Sequence, residues 1–113
     1  MNKKILIVDD ESDFGNLLKN FLSRRGYEVH LSHTLREGMQ ALDDIKPDFL
    51  ILDNNLPDGL GWEKMEYIIG KLKDIKLILI SAYHHNLALT QKFPDVKIFE
   101  KPIVLAELNE YLS

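Results

Sequence analysis

A three-layer α/β/α architecture, a parallel sheet with helices on both faces, is the fold class this sequence predicts. Short apolar runs alternate with amphipathic stretches, three of those runs contain no polar residue, and capping residues, glycine and proline mark the joins. Such alternation places successive strands parallel through right-handed crossovers, and ligands then bind at the carboxyl ends of the strands.

Five runs read as strands. Residues 5–8 (ILIV), 49–52 (FLIL) and 77–80 (LILI) are wholly apolar and suit central positions covered on both faces. Residues 27–31 (YEVHL) and 96–99 (VKIF) interleave polar side chains and suit places nearer the edges. Between the first two runs, Phe14, Leu17, Leu18, Phe21 and Leu22 share a helical face, with Ser12 as the expected N-cap and Gly26 just past the end. In the second helix Thr34 and Glu37 have capping-box spacing, Leu35, Met39, Leu42 and Ile45 form the stripe, and Pro47 closes the segment. The third carries Trp62, Met65, Ile69 and Leu72. Residues 82–93 (AYHHNLALTQKF) offer only Leu89 and Phe93 at helical spacing, so a short or irregular fourth helix is expected there. Leu105, Leu108 and Leu112, beside Tyr111, form the closing helix.

The 113 residues suit one domain, residues 1–113, with one continuous core, and a hydrophobic content of 45% argues against disorder. The formal net charge is -4 and the 14 basic residues are scattered, so neither a phosphate-tracking surface nor direct nucleic-acid binding is expected. Cysteine is absent, which removes disulfides, thiol catalysis and Cys-ligated zinc and fits a cytoplasmic protein. The opening MNKKILIVDDE meets acids after four apolar residues, too few for a signal peptide, and no window approaches a membrane span.

Chemistry collects just after the apolar runs. Asp9, Asp10 and Glu11 follow the first, Asp53 the third, Ser81 the fourth, and Lys101 stands beyond the fifth. Carboxylates brought together resist full ionisation unless a divalent cation neutralises them, and oxygen ligands without His or Cys suit Mg²⁺, with Mn²⁺ as a substitute. Asp53 is either a metal ligand or a nucleophile that accepts a phosphoryl group, with Lys101 and Ser81 placed to meet phosphoryl oxygens. Singly, each of these residues is more commonly a cap, turn or surface group, and Asp58-Gly59 alone is a turn signal. Their conjunction at four of five strand ends favours the chemical reading. His84 and His85 are adjacent and lack a third ligand, so a solvated loop is expected of them; His30 and His33 read as ordinary strand-end and loop residues, and Trp62 as helix packing.

The stretches KILIVDDE, LILDNNLPDGLG, LILISAY and IFEKPI, in this order and over Lys3 to Leu112, resemble the receiver domain of two-component response regulators. The resemblance implies a doubly wound five-stranded sheet of the flavodoxin-like kind, order 2-1-3-4-5. It makes Asp53 the phosphoacceptor, Asp9 and Asp10 the acidic pair for Mg²⁺, Asn55 a further ligand through its backbone carbonyl, Ser81 the switch hydroxyl and Lys101 the site lysine. A cis Lys101-Pro102 peptide is implied as well. The implied partners are a histidine kinase or histidine phosphotransfer protein upstream, and a target protein or fused output domain downstream. The implied domain is a phosphoacceptor regulator with intrinsic self-phosphorylation and dephosphorylation chemistry and no other enzymatic activity.

Three departures from the family pattern concern readout. Its switch uses Tyr or Phe three residues before the lysine, where this chain has Ile98, and Phe99 points to the opposite face. The interval from Ser81 to Lys101 is also short, and the output face lacks the mixed charge pattern with which winged-helix regulators dimerise. Tyr83, two after Ser81, and Asn55, two after Asp53, flank the approach of a hydrolytic water, so slow self-dephosphorylation is expected. Two other readings compete: a receiver-like adaptor that works by contact alone, favoured by Ile98, and a haloacid-dehalogenase-like Mg²⁺ phosphatase. The latter needs its nucleophile on the first strand with a second Asp two residues on, which VDDES lacks.

Overall fold

The computed structural model describes residues 2–81, 93 and 95–113. In chain order these form β1 (Lys4–Val8), α1 (Ser12–Ser23), β2 (Glu28–Ser32), α2 (Leu35–Ile45) and β3 (Phe49–Asp53). A two-stranded ribbon, β4 (Asn55–Leu56) and β5 (Gly59–Leu60), leads through a 3-10 turn, Gly61–Lys64, into α3 (Met65–Lys71). β6 (Lys76–Ser81), β7 (Lys97–Glu100) and α4 (Leu105–Leu112) complete the described elements. The main sheet runs β2-β1-β3-β6-β7, with every neighbouring pair parallel, which is the order 2-1-3-4-5 once the ribbon is set aside. The expected fourth helix, with Leu89, Tyr83, His84 and His85, lies outside the described residues.

Wholly apolar runs occupy the three central strands, and the two runs with interleaved polar residues form the edges. Residues 5–8 and 49–53 are buried without exception, since a parallel strand under helices on both sides exposes neither face. The sheet divides the expected single core in two. Leu6, Val8, Leu50, Leu52, Leu77 and Leu79 meet Leu35 and Leu42 of α2 and Met65 and Ile68 of α3 on one face. Ile5, Ile7, Phe49, Ile51, Ile78 and Ile80 meet Leu18 and Leu22 of α1 and Leu108 and Leu112 of α4 on the other. Alternation of side chains along each strand fixes this sorting, and it puts Ile98 on the α2/α3 side and Phe99, edge-on to Tyr111 at 6.1 Å, on the α1/α4 side.

Two helix details differ from the sequence reading. Leu17 does not share the buried face of α1: it is 54% exposed, because the stripe is set by Leu18 and Leu22 and completed by Gly15. A Cβ on Gly15 would stand 2.9 Å from Leu31 Cδ1, so this helix packs too closely on the sheet for a side chain there. The N-cap of α1 is Glu11 rather than Ser12, which is the first helical residue. Thr34 caps α2 as expected, accepting from the Glu37 N–H at 3.1 Å, while Gly26 takes the left-handed conformation (φ 94°) beyond α1. Among the described residues, no helix is long and apolar enough to cross a membrane.

Candidate functional site

Backbone hydrogen bonds between neighbouring strands fix where each strand exits. The Asp9 N–H donates to Ser32 O at 3.0 Å, Asn54 N–H to Ile80 O at 2.8 Å and Lys101 N–H to Ser81 O at 2.9 Å. These bonds tie the end of β1 to β2 and the ends of β3 and β7 to β6, and because β1 and β3 pair side by side, Asp9, Asp53 and Lys101 come to one end of the sheet. Asp9, Asp10 and Asp53 each offer a carboxylate oxygen within 4.8 Å of the others; Asp9 and Asp53 are buried and Asp10 is exposed.

Asp9 Oδ1 accepts from the Glu11 N–H at 2.8 Å, whereas the buried Oδ2 lacks a hydrogen-bond partner among the described residues. Lys101 Nζ stands 3.7 Å from that oxygen. Burial, reinforced by the field of Asp53, pushes the Asp9 carboxyl up to about 6 against the stabilising Glu11 N–H. Asp53 Oδ1 accepts from the Asn55 N–H at 3.2 Å and Oδ2 from Lys101 Nζ at 3.4 Å. Burial lifts the Asp53 carboxyl above the ordinary aspartate range, opposed by Lys101 and the Asn55 N–H. Burial alone would depress the Lys101 amine, but its bond to Glu11 and the fields of Asp53 and Asp9 outweigh that and raise it.

A buried carboxylate oxygen without a donor is costly, and a hard divalent cation among three carboxylates removes that cost. The donor set therefore fits a Mg²⁺-type ion held by Asp9, Asp10 and Asp53. Asn55 begins the ribbon opposite Leu60, directly beside this cluster. Ser81 is buried at the end of β6, its register partner Glu100 preceding Lys101. Ile98 pairs in register with Leu79 and packs into the α2/α3-side core. The Lys101-Pro102 peptide is cis. Tyr83 lies outside the described residues.

Four residues acquire roles that sequence patterning did not indicate. Asn54 is 3% exposed; its Oδ1 accepts from the Trp62 N–H at 3.1 Å and its carbonyl from the Gly61 N–H at 2.8 Å, locking the end of β3 to the 3-10 turn. A Cβ on Gly61 would lie 2.7 Å from the Asp53 carbonyl oxygen, so only glycine permits this close approach. Asp58, read as a turn residue, caps α2 with both oxygens, accepting from Leu35 N–H at 2.8 Å and Arg36 N–H at 2.9 Å. His33 Nδ1 lies 3.1 Å from the Asp9 carbonyl oxygen, behind the acidic turn. The LPDGLG spacing was the available signal for Gly61 and Asp58; for Asn54 and His33 there was none.

Known proteins share this sequence pattern and fold. The family profile described as "Response regulator receiver domain" matches residues 5–113. Chemotaxis protein CheY of Thermotoga maritima is 32% identical over 117 residues, covering 97% of this chain and 98% of its own. The acid tolerance regulatory protein ActR of Rhizobium meliloti is 30% identical over 82 residues, which is 73% of this chain, and the match spans only 42% of ActR's length. A CheY-like response regulator receiver domain protein from Methanospirillum hungatei JF-1 superposes with a TM-score of 0.91 at 27% identity, covering 99% of this chain and 91% of that one. The chain belongs to the receiver domain family of two-component response regulators.

Proposed function

We propose that Asp53 accepts a phosphoryl group from the phosphohistidine of a histidine kinase or histidine phosphotransfer protein in a Mg²⁺-dependent reaction, and that the modified domain controls a partner or a fused output domain. The observation that carries this reading is the meeting of Asp9, Asp10 and Asp53 within 4.8 Å, with Lys101 Nζ 3.4 Å from Asp53 and a buried Asp9 oxygen without a donor among the described residues. Asp9, Asp10, Asp53 and the Asn55 carbonyl would hold the ion, with Mn²⁺ as a substitute; bound there, it neutralises charge on the carboxylates and on the phosphoryl oxygens. An Asp53 oxygen attacks phosphorus as the phosphorus–nitrogen bond breaks, and the departing imidazole keeps the electron pair and takes up a proton. Lys101 pairs with one phosphoryl oxygen and the Ser81 hydroxyl donates to another. The protein's contribution is positioning and charge compensation.

Drawing Ser81 and Lys101 toward the phosphoryl oxygens biases the domain between two arrangements. Ile98 replaces the aromatic side chain of the usual switch and packs against the core, so this readout runs through Ser81 rather than through an aromatic rotation. The test is incubation with Mg²⁺ and a small phosphodonor, followed by intact mass measurement. The expected product is a single-phosphoryl mass increase that survives acid, is lost in base or hydroxylamine, and is absent from Asp53→Asn. Protein that no donor modifies is instead an adaptor working by contact alone.

A further inference from the structure

We infer that Glu11 is a positioning residue that holds Lys101 at the rim of the site in the unphosphorylated protein, and thereby sets how readily Asp53 takes up a phosphoryl group. This rests on the reading of Asp53 as the phosphoacceptor and names a control built into that site.

Lys101 Nζ donates to Glu11 Oε1 at 2.8 Å, while Asp53 Oδ2 is 3.4 Å and Asp9 Oδ2 3.7 Å away. The ammonium also stands 5.5 Å from the Phe14 ring centroid, so α1 supplies two of its partners and the acidic cluster the other two. The Lys101 backbone is anchored to Ser81 O, which leaves its flexible stem to choose between them. A phosphoryl group on Asp53 needs the same ammonium, and Glu11 competes for it.

The start of α1 shows what Glu11 forgoes. It occupies the N-cap with extended backbone (φ -83°, ψ 101°) yet makes no side-chain cap bond, although a helix start has backbone N–H groups in need of acceptors. Helix α2, by contrast, is capped by Thr34 and by both oxygens of Asp58. Ser, Thr, Asp or Asn would cap α1 with a short side chain; glutamate reaches past the cap to an amine 90 residues on. Its side chain is 60% exposed, so the bond is screened by solvent and readily exchanged for one to a phosphoryl oxygen.

Three variants separate a latch from a general effect of charge. Glu11→Gln removes the competing carboxylate. Glu11→Asp keeps the charge but draws the shorter carboxylate back to the α1 N–H groups. Asp13→Asn removes a charge from the same helical turn, outside the carboxylates that pair with Lys101 among the described residues. Beryllofluoride, a phosphoryl mimic, is titrated into each full chain at saturating Mg²⁺. Glu11→Gln and Glu11→Asp are expected to bind it about two- to fivefold more tightly than wild type, the range an exposed ion pair commands, with Asp13→Asn at the wild-type value. Thermal melts run in parallel should place Glu11→Asp at or above wild type, as restored capping requires. Unchanged affinity in Glu11→Gln overturns the inference, as does Glu11→Asp behaving like wild type while Glu11→Gln and Asp13→Asn tighten alike. Wild-type protein that takes up no beryllofluoride overturns the phosphoacceptor reading and this inference with it.

Discussion

Asp9 is 1% exposed, with one oxygen on the Glu11 N–H and the other lacking a donor among the described residues, so in metal-free protein its charged form is disfavoured by the fold that buries it. A carboxyl whose folded pKa is raised to about 6 from an ordinary 3.8 binds protons more tightly folded than unfolded. Its cost is therefore present above pH 6 and relieved as pH falls from 6 toward 3.8. Asp9→Asn should stabilise the metal-free protein at pH 7.5 by on the order of 1 kcal/mol, and the gain should shrink toward pH 4; urea unfolding of both proteins across that range measures it. Gly61→Ala acts on the neighbouring strand exit. A methyl 2.7 Å from the Asp53 carbonyl must displace the end of β3 or the 3-10 turn, which should cost roughly 1–3 kcal/mol and, on the proposed function, slow modification of Asp53 more than Gly70→Ala does, where added Cβ meets nothing within 4 Å. At this scale the acids and Lys101 were legible in the sequence because they directly follow apolar runs. Asn54 and the pairing of Glu11 with Lys101 were not, because they depend on which partner a polar side chain reaches, and no spacing rule encodes a contact such as that of Glu11, 90 residues away.

The elements that were read correctly are those whose periodicity tertiary packing respects. The five strands differ from the apolar runs only by one residue at one or both ends, since polar residues such as Lys76 and Ser81 complete ladders that hydrophobicity does not mark. Leu17 was misplaced because residues 17 and 18 are both leucine and only close packing at Gly15 decides which of them faces the sheet. Helix α2 joins local and distant signals: Thr34 was visible as its cap, but Asp58 arrives from the ribbon. The two backbone N–H groups hold the Asp58 carboxyl below its ordinary 3.8. A depressed carboxyl stabilises the fold above the unfolded pKa and loses that effect as pH falls through the folded one. Asp58→Ala should therefore unfold at lower temperature than wild type at pH 7, and the difference should narrow as pH is taken well below 3.8, as thermal melts at several pH values will report. Glu28, lowered by its bond to His30, titrates in the same direction but is unchanged by the substitution, so the difference between the two proteins isolates Asp58.

Across the molecule, one sheet separates two cores and its parallel strands all exit toward one edge, so the fold itself assembles the carboxylates, Ser81 and Lys101. The burial that makes the strands stable also desolvates Asp9 and Asp53, so stability is given up to hold these carboxylates together. Any ion that binds the folded site but not the unfolded chain raises the melting temperature in proportion to the logarithm of its excess over the dissociation constant. Mg²⁺ should thus stabilise wild-type protein in a concentration-dependent way and should do so far less in Asp53→Asn or Asp9→Asn, by differential scanning calorimetry at fixed ionic strength.

The most direct measurement of the central claim is chemical mapping of the modified residue. Protein treated with a phosphodonor and Mg²⁺ is trapped by borohydride, which reduces an aspartyl phosphate to homoserine, then digested and sequenced by mass spectrometry. Conversion at residue 53 alone, dependent on Mg²⁺ and blocked by chelation, is the predicted result. Conversion at another residue, or equal conversion after the metal is removed, would contradict the account.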